Sequence, residues 1–182
     1  MSNARKLANL LGTSTTVPSS KLSLVTSDLP AGSILQVQNV EFTQRHHINT
    51  NSRTGLSGQY AVSITPTSSS NKILVQTNIN CIVYNTNGVR AILVRNPSGG
   101  SAVDASQLGW YNSGATWKPF NTNFGHLDSP ATTSAVTYYV EWRLESAGGS
   151  PGGLYVNYAN TNAGFTTLND SRATITVMEV AV

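Results

Sequence analysis

The chain has 182 residues, of which 39% are hydrophobic and only 10% are charged. Soluble domains usually carry about 25% charged residues, so this composition argues against a typical soluble enzyme and favours a surface that contacts other copies of the chain. Eleven Lys and Arg residues against eight Asp and Glu give a formal net charge of +3. The basic residues form no run, which argues against the clustered basic face that nucleic-acid binding needs.

Cys81 is the only cysteine, so no disulfide can form within the chain and no metal site can use several thiolates. No segment approaches the ~20 apolar residues of a membrane-spanning helix, and no apolar run near the start is long enough for a signal peptide. We therefore expect a soluble chain without membrane insertion, stabilised by burial and oligomerisation.

The first predicted element is a short amphipathic helix, whose apolar stripe consists of Ala4, Leu7, Ala8 and Leu11. Gly12 stands where such a helix would end. Because a helix this short is marginal alone in water, it needs a surface to pack against. The polar stretch 13–20 is typical of a linker, so residues 1–20 are predicted to be an anchor helix and linker for attachment. The alternative is a helix that packs on its own domain.

From about residue 33 the pattern changes to short apolar runs separated by Gly, Pro, Asn and Ser, which is typical of β-strands. The predicted strands are Ile34–Thr43, Gln59–Ile64, Ile73–Tyr84, Val89–Arg95, Gln107–Tyr111, Val136–Leu144, Leu154–Tyr158 and Ala173–Val182. About eight strands favour a two-sheet sandwich or barrel. The predicted fold is therefore all-β: a jelly-roll-like antiparallel β-sandwich over residues 21–182, preceded by the short N-terminal helix.

Two local patterns refine this prediction. In the third strand, alternate residues from Ile73 to Val83 are mostly apolar, which predicts that this face lies in the core. Asn87 and Gly88 lie between two apolar runs, and this pair favours the tight turn of a β-hairpin. The segment from Ile73 to Arg95 is thus expected to be an antiparallel hairpin. The apolar end of the last strand predicts that it lies inside a sheet or an interface.

No catalytic motif is visible. The carboxylates are dispersed, without the local pair of a glycosidase, and no glycine-rich phosphate loop precedes a helix. His46 and His47 would point to opposite faces of a strand, so we expect polar loop residues rather than metal ligands, although a symmetry axis could gather copies of either. The sequence therefore predicts no enzyme activity, no cofactor and no metal site.

Aromatic residues lie among Gly, Asn and Ser in the region after the fourth strand; they are Trp110, Tyr111, Trp117 and Phe120. Rings supply apolar area and amides supply directional hydrogen bonds, which suits contact with a glycan or a protein partner. The alternative is that these rings pack over an open end of the sandwich. Tyr155 and Tyr158 around Asn157 form a weaker example of the same pattern.

Four segments carry a resemblance to a known group of proteins. They are residues 3–11 (NARKLANLL), 58–75 (GQYAVSITPTSSSNKILV), 126–132 (HLDSPAT) leading into 138–140 (YYV), and 173–180 (ATITVMEV). These segments resemble bacteriophage tail-fibre and related virion proteins, particularly those of marine phages. The resemblance extends over most of the chain, although each segment is a β-domain pattern without chemistry of its own.

The resemblance implies a β-sandwich head that assembles as a homotrimer in the virion, after synthesis in the cytoplasm of a bacterial host, and contacts a host-surface glycan or protein or decorates the particle. Almost no shaft precedes the head, which favours a short fibre or fibre tip joined to other virion proteins by its N-terminal segment. A capsid decoration protein is the alternative within this class. A carbohydrate-binding lectin module and an enzyme are the alternatives outside it.

Overall fold

The computed structural model describes residues 29–52, 54–55, 60–84, 86–96, 101–112, 117–145, 152–158 and 172–182. The predicted N-terminal helix and linker, with Ala4, Leu7, Ala8 and Leu11, lie outside the described residues. The described part consists of β-strands and connections and contains no helix, so it also has none that could cross a membrane.

The described residues form twelve strands. They are β1 (Ile34–Phe42), β2 (His46–Ile48), β3 (Thr54–Gly55), β4 (Ala61–Ile64), β5 (Lys72–Tyr84), β6 (Thr86–Asn96), β7 (Ser101–Asn112), β8 (Lys118–Thr122), β9 (Gly125–Asp128), β10 (Val136–Leu144), β11 (Gly153–Val156) and β12 (Ala173–Val180). Each of the eight predicted strands has a counterpart among them. The short strands β2, β3, β8 and β9 were not predicted.

The strands form two antiparallel sheets. The first has seven strands: β5 pairs with β12, β11, β8 and β9, while β1 pairs with β12 and β2 pairs with β11. The second has five strands in the order β3-β10-β6-β7, with β4 also paired to β10. The fold is therefore all-β and antiparallel, as the sequence predicts, and the last strand lies inside a sheet, between β1 and β5.

The thirteen-residue strand β5 organises the first sheet. One edge pairs with β12 along residues 72–78 and with β11 along residues 81–84. The other edge pairs with β9 along residues 73–76 and with β8 along residues 79–83. Its alternate residues from Ile73 to Val83 are buried, which confirms the predicted core face.

The core lies between the two sheets, where alternate side chains from both meet. Trp142 and Tyr138 from the second sheet pack with Ile73, Ile79 and Ile175 from the first, and all five are fully buried. Full burial of an aliphatic or aromatic side chain contributes roughly 1.5–3 kcal/mol. Packing of two sheets against each other, rather than a helix, thus stabilises the described part of the chain.

The predicted hairpin between β5 and β6 is wrong, because these strands lie in different sheets. Val83 near the end of β5 and Val89 near the start of β6 both belong to the core, so the chain crosses the sandwich here and burial outweighs the local turn preference. Asn87 and Gly88 lie inside β6, where Asn87 pairs with Tyr111 of β7. Gly88 still has a positive φ of 81°.

Candidate binding face

The seven-stranded sheet has one side that faces away from the core, which we call the outer face. Residues on a strand alternate between the two sides of a sheet. Since Val75 and Val177 belong to the core, the residues directly before and after each of them lie on the outer face. Three zones follow one another across it: an apolar row, polar rows and an aromatic cluster.

The apolar row runs across four adjacent strands. Val37 of β1 pairs with Met178 of β12, Met178 pairs with Leu74 of β5, and Leu74 pairs with Leu127 of β9. Val37 is 51% exposed and Leu127 is 48% exposed. Neighbouring strands are about 4.8 Å apart, so these four side chains form one continuous apolar stripe. Contiguous exposed apolar surface of this kind is typical of contact sites.

Polar rows lie beside the apolar row. Asn39 of β1, Thr176 of β12 and Gln76 of β5 are paired across three strands, and Asn39 Nδ2 donates a hydrogen bond to Thr176 Oγ1 at 2.6 Å. In the next row Glu41 forms an ion pair with Arg172. Apart from this pair, short amide and hydroxyl groups fill the middle of the outer face.

The aromatic cluster lies at the far end of the outer face and consists of His47, Tyr84, Trp117, Tyr155 and Tyr158. Tyr155 is at its centre and is only 8% exposed. The His47 ring stacks on Tyr155 with centroids 4.3 Å apart, and the Trp117 and Tyr158 rings meet it edge-on at 5.1 and 5.2 Å. Trp117 also stacks on Tyr84 at 4.0 Å. The four outer rings remain partly or fully exposed.

Strand pairing brings these rings together. Tyr155 pairs with His47 of β2 on one side and with Ile82 of β5 on the other. Gly153 of β11 pairs with Tyr84 and has a φ of 144°. A Cβ atom there would lie 2.6 Å from the carbonyl oxygen of Ile48 and 2.7 Å from His47 Nε2. The glycine therefore lets β2 and the His47 ring approach β11 closely.

The cluster has a weakly cationic margin. Arg45 Cζ lies 5.4 Å from the centre of the Tyr158 ring, within the range of a cation–π interaction. Lys118 follows Trp117 along the chain but pairs with Val83 of the core, so its side chain lies on the opposite side of the sheet. Burial raises the pKa of Tyr155, and Tyr158 and Tyr84 add to this shift, so Tyr155 is neutral at physiological pH. The cluster thus offers ring surfaces, phenol groups and a cation, without an ionised phenol at its centre.

The structure separates the aromatic residues that the sequence singles out. Trp117 joins the cluster, and so do Tyr155 and Tyr158. Phe120 pairs with Cys81 on the opposite side of the sheet and packs against the core. Trp110 and Tyr111 lie on β7, and their side chains are outside the described part of the structure. Contact with a partner through any of these residues stays a prediction.

His47 and Tyr84 are the members of the cluster that no sequence pattern associates with the other rings. Both come from strands distant in sequence from Trp117, and only the pairing of β11 with β2 and β5 makes them neighbours. His46 and His47 do point to opposite sides of their strand, as expected: His46 meets the buried Tyr60 ring edge-on at 5.5 Å. They lie on a strand, however, and not in a loop.

Other reactive groups form no second site in the described part. No group of three or more His, Cys, Asp or Glu side chains there could hold a metal ion. Cys81 is buried, and burial raises the pKa of its thiol to about 12 although a contact with Thr122 opposes the shift. This thiol is therefore unreactive at neutral pH.

No protein-family model and no curated protein sequence matches this chain. A structure of infectious bursal disease virus strain Gt matches with a TM-score of 0.41 and 14% identity, over 82% of this chain and 39% of that chain. A crystal structure of a particle of the same virus matches with a TM-score of 0.40 and 12% identity, over 81% of this chain and 35% of that one. A crystal structure of its VP2 subviral particle gives 0.36 and 13%, over 82% and 39%. The chain thus spans less than two fifths of the length of these structural neighbours, which are viral capsid proteins with a β-sandwich.

Proposed function

We propose that the chain is a non-enzymatic structural protein of a bacteriophage particle, a short trimeric fibre or fibre-tip module attached by its N-terminal segment. The resemblance of four sequence segments to phage appendage proteins suggests the setting. The observation that carries the proposal is the outer face, where an apolar row crosses four strands beside rows of neutral amides and hydroxyls. Such a surface suits contact with other subunits.

The strand order supports a jelly-roll fold. Eight of the twelve strands form the framework of the two sheets; they are β1, β4, β5, β6, β7, β9, β10 and β12. In the first sheet they lie in the order β1-β12-β5-β9, and in the second in the order β4-β10-β6-β7. Counted along the chain, the first order is strands one, eight, three and six, and the second is strands two, seven, four and five. This order is that of a double-sheet jelly roll, a fold found in viral capsid and lectin domains. Because a fold does not imply a function, location in the particle needs its own experiment.

Cryo-electron microscopy of intact particles tests the location directly. We expect three copies around an axis at a tail fibre or fibre tip, with the sandwich facing outward. Density between capsid subunits would replace this proposal with a capsid decoration protein. Absence of the protein from purified particles would overturn the virion role.

Light scattering on the purified chain tests self-association. We expect three times the mass of one chain at micromolar concentration. The double variant Val37→Asp with Leu127→Asp places two charges in the apolar row and should yield monomers, because burying an unpaired charge is costly. The control Asn78→Asp lies on the same face outside the row and should remain trimeric. A monomeric unmodified chain would contradict the proposal.

The N-terminal stripe is the proposed attachment device. Helix-in-groove docking uses apolar residues one turn apart, which is the spacing of Leu7 and Leu11. The double variant Leu7→Asp with Leu11→Asp should keep its β-type circular dichroism and melting temperature but no longer join the particle. Unfolding of this variant would instead assign the helix to the core of its own sandwich, and normal incorporation would place attachment elsewhere.

A further inference from the structure

The aromatic cluster is continuous with a row of amides on the outer face. Tyr155 of β11, Ile82 of β5 and Pro119 of β8 are paired in one row, and the next row along β5 pairs Asn80 with Asn121. Two residues along a strand span about 6.7 Å. Rings and amide groups therefore lie within the length of two linked sugar units.

This combination fits a carbohydrate better than an apolar ligand. A sugar ring presents C–H groups on its faces and hydroxyl groups around its edge, so it is bound by an aromatic surface together with directional hydrogen-bonding groups. The cluster supplies the half-buried Trp117, Tyr84 and Tyr158 rings, and the exposed Asn121 supplies an amide. Ile82 lies beneath the rings and is only 1% exposed. The rings therefore cover it and leave no apolar pocket under them.

The charges on this face indicate the kind of sugar. The carboxylates among the described side chains are Glu41, Asp128, Glu141, Glu145 and Glu179. Of these, only Glu41 lies on the outer face, and it is paired with Arg172 in a row distant from the rings. Arg45 lies at the margin of the cluster. A cation beside a ring platform attracts sugars that carry a negative charge.

We propose that the aromatic cluster and the adjoining amide row bind an acidic polysaccharide, with sugar rings against Trp117 and Tyr84 and sugar carboxylates near Arg45. This activity goes beyond the structural role proposed above. It belongs to the isolated chain, so it can be tested without the particle.

Alginate, a polymer of uronic acids, is the probe, and neutral dextran is its matched comparison. Isothermal titration calorimetry with the full chain should detect alginate binding that weakens as salt is raised from about 50 to about 300 mM, because screening reduces the attraction of the Arg45 cation. Trp117→Ala and Arg45→Gln should each lower the affinity at least tenfold, and Asn121→Ala about threefold. Trp117→Phe, which keeps a ring, should restore most of the affinity.

Gln76→Ala is the control, because it removes an exposed side chain of the same face that belongs neither to the apolar row nor to the aromatic cluster. It should bind alginate as the unmodified chain does. Circular dichroism on Trp117→Ala separates loss of the site from loss of the fold, and Asn121→Ala provides a second readout if that variant unfolds. Absence of alginate binding, equal binding of dextran, or unchanged affinity in Arg45→Gln would overturn the proposal. None of these outcomes changes the mass expected from light scattering or the location expected from cryo-electron microscopy. Failure of the binding proposal is therefore distinct from failure of the proposed structural role.

Discussion

Arg95 of β6 and Asp128 of β9 form an ion pair that joins the two sheets, with Arg95 Nη1 2.5 Å from Asp128 Oδ2. Their side chains are only 16% and 10% exposed. Tyr138 of β10 donates its hydroxyl to the same oxygen at 2.7 Å. Burial, and then this hydrogen bond, raise the pKa of Tyr138 above its ordinary value, so the phenol remains a donor.

Replacing Asp128 should therefore destabilise the sandwich. Asp128→Asn leaves the Arg95 charge buried and unpaired, which should lower the free energy of unfolding by about 3 kcal/mol, while Tyr138→Phe removes one charge-assisted hydrogen bond and should cost about 1.5 kcal/mol. Urea unfolding followed by circular dichroism measures both. Glu145→Gln is the control, since Glu145 lies 3.5 Å from Arg90 in an exposed pair and should cost less than about 1 kcal/mol. Equal effects of Asp128→Asn and Glu145→Gln would contradict this account.

Glu179 should make stability depend on pH in the acid range. It is fully buried on the core side of β12 and accepts hydrogen bonds of 2.7 Å from Asn71 Nδ2, Gln36 Nε2 and the Thr67 amide. Burial alone would raise the pKa of Glu179, but these hydrogen bonds outweigh it and hold the pKa below its ordinary value of 4.5. The stabilisation is therefore full above pH 4.5 and lost as the pH falls through the lowered pKa.

Melting temperatures between pH 7 and pH 3 test this dependence. The unmodified chain should lose stability below pH 4.5 more steeply than Glu179→Gln. That variant should already be less stable at pH 7, because its amide group directs N–H groups toward donors. Parallel acid profiles for the two proteins would show that Glu179 is not the group responsible.

His46 should add a second pH dependence at a higher pH. Its Nε2 is buried without a hydrogen-bond partner, and burial lowers the pKa of His46 from 6.5. As the pH falls, the unfolded chain takes up a proton on His46 before the folded chain does. The contribution of neutral His46 to the free energy of unfolding is therefore complete above pH 6.5 and decreases as the pH falls below that value. His46→Phe should remove this decrease, whereas His47→Phe, on the opposite side of the same strand, should retain it. A decrease that persists in His46→Phe would assign the effect to another group.

Gly153 should tolerate no side chain. Its φ of 144° is essentially restricted to glycine, and a Cβ would lie 2.6 Å from the carbonyl oxygen of Ile48. Gly153→Ala should cost about 2 kcal/mol or more and should separate His47 from Tyr155. Gly125→Ala is the matched control, since nothing lies within 4 Å of a Cβ there. Thermal unfolding should show a clear difference between the two variants, and equal melting temperatures would contradict the close approach of β2 and β11.

Sequence patterns predicted several long strands because alternate residues in them are buried. Strands β5, β10 and β12 all follow this rule. The missed strands are short: β2 has three residues and β3 has two. Such segments contain too few apolar residues for an alternation to be visible, and they become strands because β11 and β10 offer them an edge.

The same limit explains what was missed in the aromatic cluster. Trp117 could be singled out because it lies among small polar residues, but its neighbours Tyr84 and His47 are set by strand register. Without β8 as a predicted strand, the side of the sheet on which Phe120 lies could not be assigned either. Composition indicated a surface rich in rings and amides, and only the pairing of β5, β8 and β11 indicates which rings meet.

The pairing of β1 with β12 has a consequence for the synthesis of the protein. Ile34 pairs with Val180, so the first described strand obtains its partner only after every segment from β2 to β12 has been made. A ribosome adds about 5–20 residues per second, which leaves β1 without this partner for roughly 7–30 seconds. Pairings between distant strands also fold slowly, because loop closure comes before the contacts that stabilise it. The first sheet can therefore be completed only after β12 has left the ribosome, and until then the edges of β1 and β5 that pair with β12 remain open to incorrect pairing.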